Sequence, residues 1–224
     1  MNAHDEILEY IAGLEIIDTH EHLPGSEAAR PPASDVLSEW LLHYFSCDLV
    51  SAGLTEGDLD RVRNPQGDLM ERWEMAEPYW HAAESTGYGR SLALAARDLY
   101  GIDHIDRESI IELNRRFVAA RDKGDHYRYA LKEKSRIRVS VLDSNLDADP
   151  EFFVSAIRFD GYLMPTHRRD LVAAGKRVGF PIHCLADWKQ ALEVELDRAF
   201  ERGAVTLKCG LAYQRPLRFD KTPE

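Results

Sequence analysis

A gap in the strand pattern constrains the fold more than any motif does. An apolar stretch that reads as a strand ends near Leu23, and the next convincing one, Arg136 to Asp143, begins more than a hundred residues later. Between them, over about residues 26–134, nearly every segment repeats its apolar residues at helical spacing. Ser34 or Asp35 can cap a helix running through Val36, Leu37, Trp40, Leu41 and Tyr44, and further helices are expected near 67–84, 88–99 and 125–134. Another begins behind Asp106, carries Ile110, Leu113, Phe117 and Ala120 on one stripe, and stops at Gly124. So long a stretch cannot be a loop between neighbouring strands. It predicts a helical subdomain, 26–134, inserted after the first strand, while 1–25 and 135–224 form a second body.

That second body alternates strand and helix, the order of a parallel sheet. A short amphipathic helix near 3–13 leads into the first strand. After Arg136–Asp143 come a third strand candidate, Val154–Asp160, and a helix near 167–177. Asp187, with Gln190 three residues on, is expected to cap a helix that turns Trp188, Leu192, Leu196, Ala199 and Phe200 inward and stops at Gly203. It feeds the fourth strand candidate, Ala204–Leu211.

The first strand runs into Asp18-Thr19-His20-Glu21-His22-Leu23-Pro24-Gly25. Side chains two apart on a strand share a face, so Asp18, His20 and His22 should line up while Ile17, Thr19 and Glu21 face away. Two imidazoles can then reach one divalent ion, zinc first among them, each at about 2.0–2.1 Å, with Asp18 placed to orient a ring. Pro24 and Gly25 close the strand. Histidines on a half-buried strand also serve as ordinary surface or core residues, and the pair alone does not choose between these readings.

In its setting of lead-in helix, apolar strand and Pro-Gly stop, the segment resembles the first barrel strand of the amidohydrolase superfamily, metal-dependent (β/α)8 enzymes that end this strand in His-x-His. The resemblance implies an α/β fold, a partial TIM barrel of about four strands with a large helical insertion after strand 1. A full barrel takes about 250 residues, so the chain is expected to be the N-terminal half of a longer protein. It further implies a metal-dependent hydrolase of a small-molecule substrate, with His20 and His22 holding the ion. Lys208, on the fourth strand, stands where many such enzymes carboxylate a lysine into an anionic metal ligand; it could equally contact an anionic substrate or snorkel from the rim. Two further histidines and a late aspartate implied by the superfamily have no place in this sequence. The chain alone is therefore expected to bind metal weakly and to lack normal turnover.

Within the insertion, Trp40-Leu41-Leu42-His43-Tyr44, Tyr88-Gly89-Arg90 and Leu99-Tyr100-Gly101-Ile102 are similar to the helical insertion of uronate isomerases. The alternative function is thus aldose–ketose isomerisation of a uronic acid. His43 and Tyr44 could overhang the barrel mouth and touch substrate, or Tyr44 could be core and His43 its solvated neighbour. Arg215, just past the fourth strand, could clamp a carboxylate in a bidentate way or be a surface arginine. Arg158 is either a barrel-interior charge or a partner of Asp160 or Asp143. A non-enzymatic alternative is a half-barrel scaffold acting through oligomerisation, since four strands leave unpaired edges for a second copy or a partner chain.

Composition narrows the partners. A net charge of −11 without a long basic run speaks against nucleic acid and anionic membrane surfaces. No apolar run approaches the roughly 18 residues of a membrane span, and a cytoplasmic location is expected. Cys47, Cys184 and Cys209 are widely spaced and read as reduced thiols. Neither a phosphate loop nor a Gly-x-Ser-x-Gly elbow is present.

Overall fold

The structure is a computed structural model that describes residues 2–31, 34–143 and 146–220. It divides into two compact units, residues 1–26 with 136–224, and residues 27–135. The chain opens with helix α1 (Ala3–Gly13), whose Asn2 side chain accepts the Asp5 N–H at 3.0 Å, and strand β1 (Ile16–Glu21). The helical unit follows, with α2 (Val36–Trp40), α3 (Phe45–Ser51), α4 (Glu56–Arg63), α5 (Leu69–Ala83), α6 (Gly87–Tyr100), α7 (Ile110–Lys123) and a π-helical stretch, Arg128–Lys134. The sheet then resumes with β2 (Ile137–Asp143), β3 (Phe153–Arg158), α8 (Asp160–Leu163), α9 (Arg168–Val178), α10 (Leu185–Glu201) and β4 (Ala204–Lys208).

All neighbouring strands pair in parallel, in the order β1-β2-β3-β4. This is the α/β, partial-barrel architecture expected, with the helical segment between strands 1 and 2. The central strands bury Ser140, Leu142, Phe153 and Ala156, and a second cluster forms where Tyr162, Ala174, Val178 and Ala191 meet Trp188. The indole N–H of Trp188 donates to the Tyr162 carbonyl at 3.1 Å and ties α10 to α8.

The outer strands behave differently. Parallel sheets normally bury both faces, yet Ile16 and Ile17 on β1 and Val205 and Leu207 on β4 are about half exposed, and α1 buries none of its residues. Among the described residues β1 and β4 each leave one edge unpaired, and apolar side chains along such edges favour association. Sedimentation velocity at micromolar concentration is expected to show species larger than a monomer, and Val205→Glu with Leu207→Glu should return the chain to monomers. A wild-type chain that stays monomeric would remove this expectation.

The helical unit has its own core, in which Leu37, Leu41, Leu49, Trp73, Ile110 and Leu113 are fully buried. At its centre the Arg72 guanidinium forms a fork to the Asp35 carboxylate and also donates to the carbonyls of Val62 (3.1 Å) and Gly67 (3.2 Å). Asp35 in turn caps α2 through the Ser38 N–H at 2.9 Å.

Three expectations need correction. The helix expected to run from the Asp35 cap through Tyr44 is two: α2 stops at Trp40, and Tyr44 is the N-cap of α3. The Leu41 carbonyl is taken by Arg63 Nε at 2.6 Å, a tertiary bond that periodicity does not reveal. The cap of α10 is Cys184; Asp187 sits three residues inside and accepts the backbone N–H of His183 (2.8 Å) and Cys184 (3.1 Å). Phe200 lies outward, 47% exposed, because Ala199 takes the inward position of that turn. No described helix is long and apolar enough to cross a membrane.

Candidate metal centre

Four parallel strands deliver their C-terminal ends to one edge of the sheet, where barrel-type active sites are built. His20 arrives on β1 with His22 just beyond it, Asp143 ends β2, Arg158 ends β3, and Lys208 ends β4. Between the pairs Asp18↔Ser140 and Glu21↔Leu142, β1 spends three steps against two on β2. This bulge adds a residue beside His20, the kind of irregularity that re-aims a strand end.

Acidic side chains fix the local backbone. Asp18 Oδ1 accepts the His20 N–H at 3.2 Å, while Glu21 Oε1 accepts the N–H groups of His22 (2.6 Å) and Leu23 (3.0 Å). Asp18 is expected to orient an imidazole; in the structure it accepts from the backbone of His20. Gly25 leaves the strand with its carbonyl accepting the Asp149 N–H at 2.7 Å.

The two imidazoles stand edge to face, centroids 4.4 Å apart at 81°. One donor atom from each of His20, His22 and Asp143 lies within 4.8 Å of the others. Both histidines are exposed, whereas the Asp143 side chain is only 5% exposed. Two imidazoles and a carboxylate with an open side are a donor set that zinc accepts, so the residues fit a divalent ion. The sequence offers Asp143 only as a partner of Arg158. The signal available was its position, the last residue of an apolar strand, level with the histidines once β1 and β2 pair in parallel.

Asp143 is also the hub of the surrounding charges. Arg158 grips it in a fork, Nε to Oδ1 at 3.0 Å and Nη2 to Oδ2 at 2.5 Å, which settles the choice between its two candidate partners. That bond, outweighing partial desolvation, raises the pKa of Arg158 above its ordinary value. Lys208 Nζ lies 3.1 Å from Asp143 Oδ2 and 3.1 Å from each ring nitrogen of His20. Lys208 thus joins the two histidines at one site, across 188 residues of sequence.

The other candidates have their own surroundings. His43 and Tyr44 belong to the helical unit; Tyr44 is 53% exposed, not core, and stacks on Tyr88 at 5.2 Å. Arg215 folds on its own loop, donating to the carbonyls of Pro216 (3.2 Å) and Arg218 (3.4 Å), with its guanidinium 4.9 Å from the Phe219 ring centroid.

No family model matches the chain, and no curated protein matches it. Its fold is similar to those of solved structures. A glucuronate isomerase from Caulobacter crescentus superposes with a TM-score of 0.68 at 17% identity, covering 88% of this chain and 46% of that one. A uronate isomerase from Thermotoga maritima gives 0.71 at 15% identity, with 91% and 48% covered. The chain therefore spans about half the length of the structures it matches.

Proposed function

We propose that the chain contributes the metal-binding strand ends of an aldose–ketose isomerase acting on a uronic acid, with a metal-dependent hydrolase of the amidohydrolase type as the second reading of the same site. The observation that carries it is the meeting of His20, His22 and Asp143 beside two cations. The setting is a fold like those of two uronate isomerases over about nine-tenths of the chain. A divalent ion held there, zinc by the donor set, would supply polarisation of a carbonyl and so ease proton movement on the carbons beside it.

The chain's own residues supply the rest. His20, His22 and Asp143 would hold the ion. Arg158 fixes the plane of the Asp143 carboxylate, and Asp18 and Glu21 pin the backbone that carries the rings. Arg158, held on Asp143, keeps a cation beside the site, which suits a substrate that carries its own carboxylate and favours a sugar acid over a neutral amide or ester. His43, Tyr44 and Arg215 are the further candidates for substrate contact.

Proton NMR of the zinc-loaded chain with glucuronate in D2O provides the test. The expected result, for a chain that spans about half the length of the structures it matches, is ketose product with solvent deuterium formed far below normal turnover and no net hydrolysis. Cleavage of an ester or lactone substrate with glucuronate left unchanged would move the assignment to the hydrolase. Inertness towards both at metal saturation would take the activity away from this chain.

A further inference from the structure

Resting on the reading of His20, His22 and Asp143 as a metal site, we infer that Lys208 is a resident counter-cation that competes with the divalent ion and leaves when it binds. It is not one of the ion's ligands. Lys208 Nζ is 3.1 Å from Asp143 Oδ2, an oxygen of the donor carboxylate. It is also equidistant, at 3.1 Å, from both ring nitrogens of His20. An in-plane point that far from both would collide with the Cε1–H, so the ammonium sits over the ring face. From there it lies on the axis of neither ring-nitrogen lone pair.

The Asp143 charge is thus already shared by two cations, the Arg158 fork and the Lys208 ammonium. An ion about 2 Å from a His20 nitrogen would lie within about 5 Å of Nζ. At that range a dication and an ammonium repel strongly even in a watery medium. One of the two cations beside Asp143 must give way. Arg158 is held by two parallel bonds, while Lys208 makes one bond at the end of a flexible stem with 27% of its side chain exposed. Lys208 is the group that moves.

The test is isothermal titration of the whole chain with zinc chloride at fixed pH and ionic strength. Lys208→Gln should bind the ion about tenfold more tightly than wild type. Lys208→Arg, which keeps the charge, should bind no more tightly than wild type. Weaker or unchanged binding by Lys208→Gln would overturn the inference, weaker binding marking Lys208 as a ligand. If wild type, Lys208→Gln and Asp143→Asn all fail to bind, the metal-site reading itself falls. A readout on the unaltered chain guards against misfolded variants. Zinc should speed reductive methylation of Lys208, read by peptide mass, and slowing or no change would contradict displacement.

Discussion

Changing His20 and His22 together to alanine is expected to weaken zinc binding by at least about a hundredfold, read by equilibrium dialysis or titration calorimetry. Outer partners of metal ligands alone are worth 10- to 100-fold, and this change removes two of three proposed donors. Both rings are exposed, so far-UV circular dichroism and the melting temperature should change little without metal. Wild-type affinity in the double variant would place the donors elsewhere in the chain. Loss of the fold with loss of the ion would instead make the site structural.

The second large effect lies in the helical unit. Arg72→Met should destabilise it by about 3–5 kcal/mol, the usual result of stranding a buried charge. The stranded group is Asp35, whose side chain is 12% exposed against 5% for Arg72. Desolvation opposes the Asp35 charge, but the Arg72 and Ser38 bonds together outweigh it and hold the carboxyl below its ordinary range. A depressed native pKa adds stability above the unfolded carboxyl's value, near 3.9, and that stability drains away as pH falls through the native value. The wild-type unit should therefore weaken below about pH 4, and Arg72→Met should lose this acid dependence. Urea titrations followed through Trp73 and Trp80 fluorescence measure both. Adding Asp35→Asn to Arg72→Met should recover part of the loss, because no charge is then left unpaired; a further loss would show that the pair is not the cause.

The strands, the long helices and the His20/His22 pair were legible in the sequence because each is written locally, in alternation, in 3.6-residue spacing or in a two-residue step. What escaped depends on contacts between distant segments. The break after α2 follows from Arg63 reaching the Leu41 carbonyl. Asp143 becomes a candidate donor only through the β1–β2 register, which brings residue 143 beside residues 20 and 22. The Arg158 choice is likewise settled by β2 and β3 lying side by side. Lys208 was anticipated on the fourth strand, but its seat over the His20 ring is not a property of spacing. The exposure of Phe200 follows from which neighbour, Ala199, the turn of α10 directs inward.

The placement of the helical unit between β1 and β2 also orders events during folding. These strands are hydrogen-bonded neighbours, yet Ile16 pairs with Ile137 across the whole of residues 27–135. Closing so long a loop as open chain is entropically costly and slow. A helical unit that has formed its own core first leaves far less open chain between β1 and β2 to be closed. The β1–β2 ladder, and the metal site that depends on its register, should then appear in a late kinetic phase, after the tryptophan burial of the helical core. Arg72→Met, by delaying that core, should slow assembly of a site to which Arg72 contributes no atom.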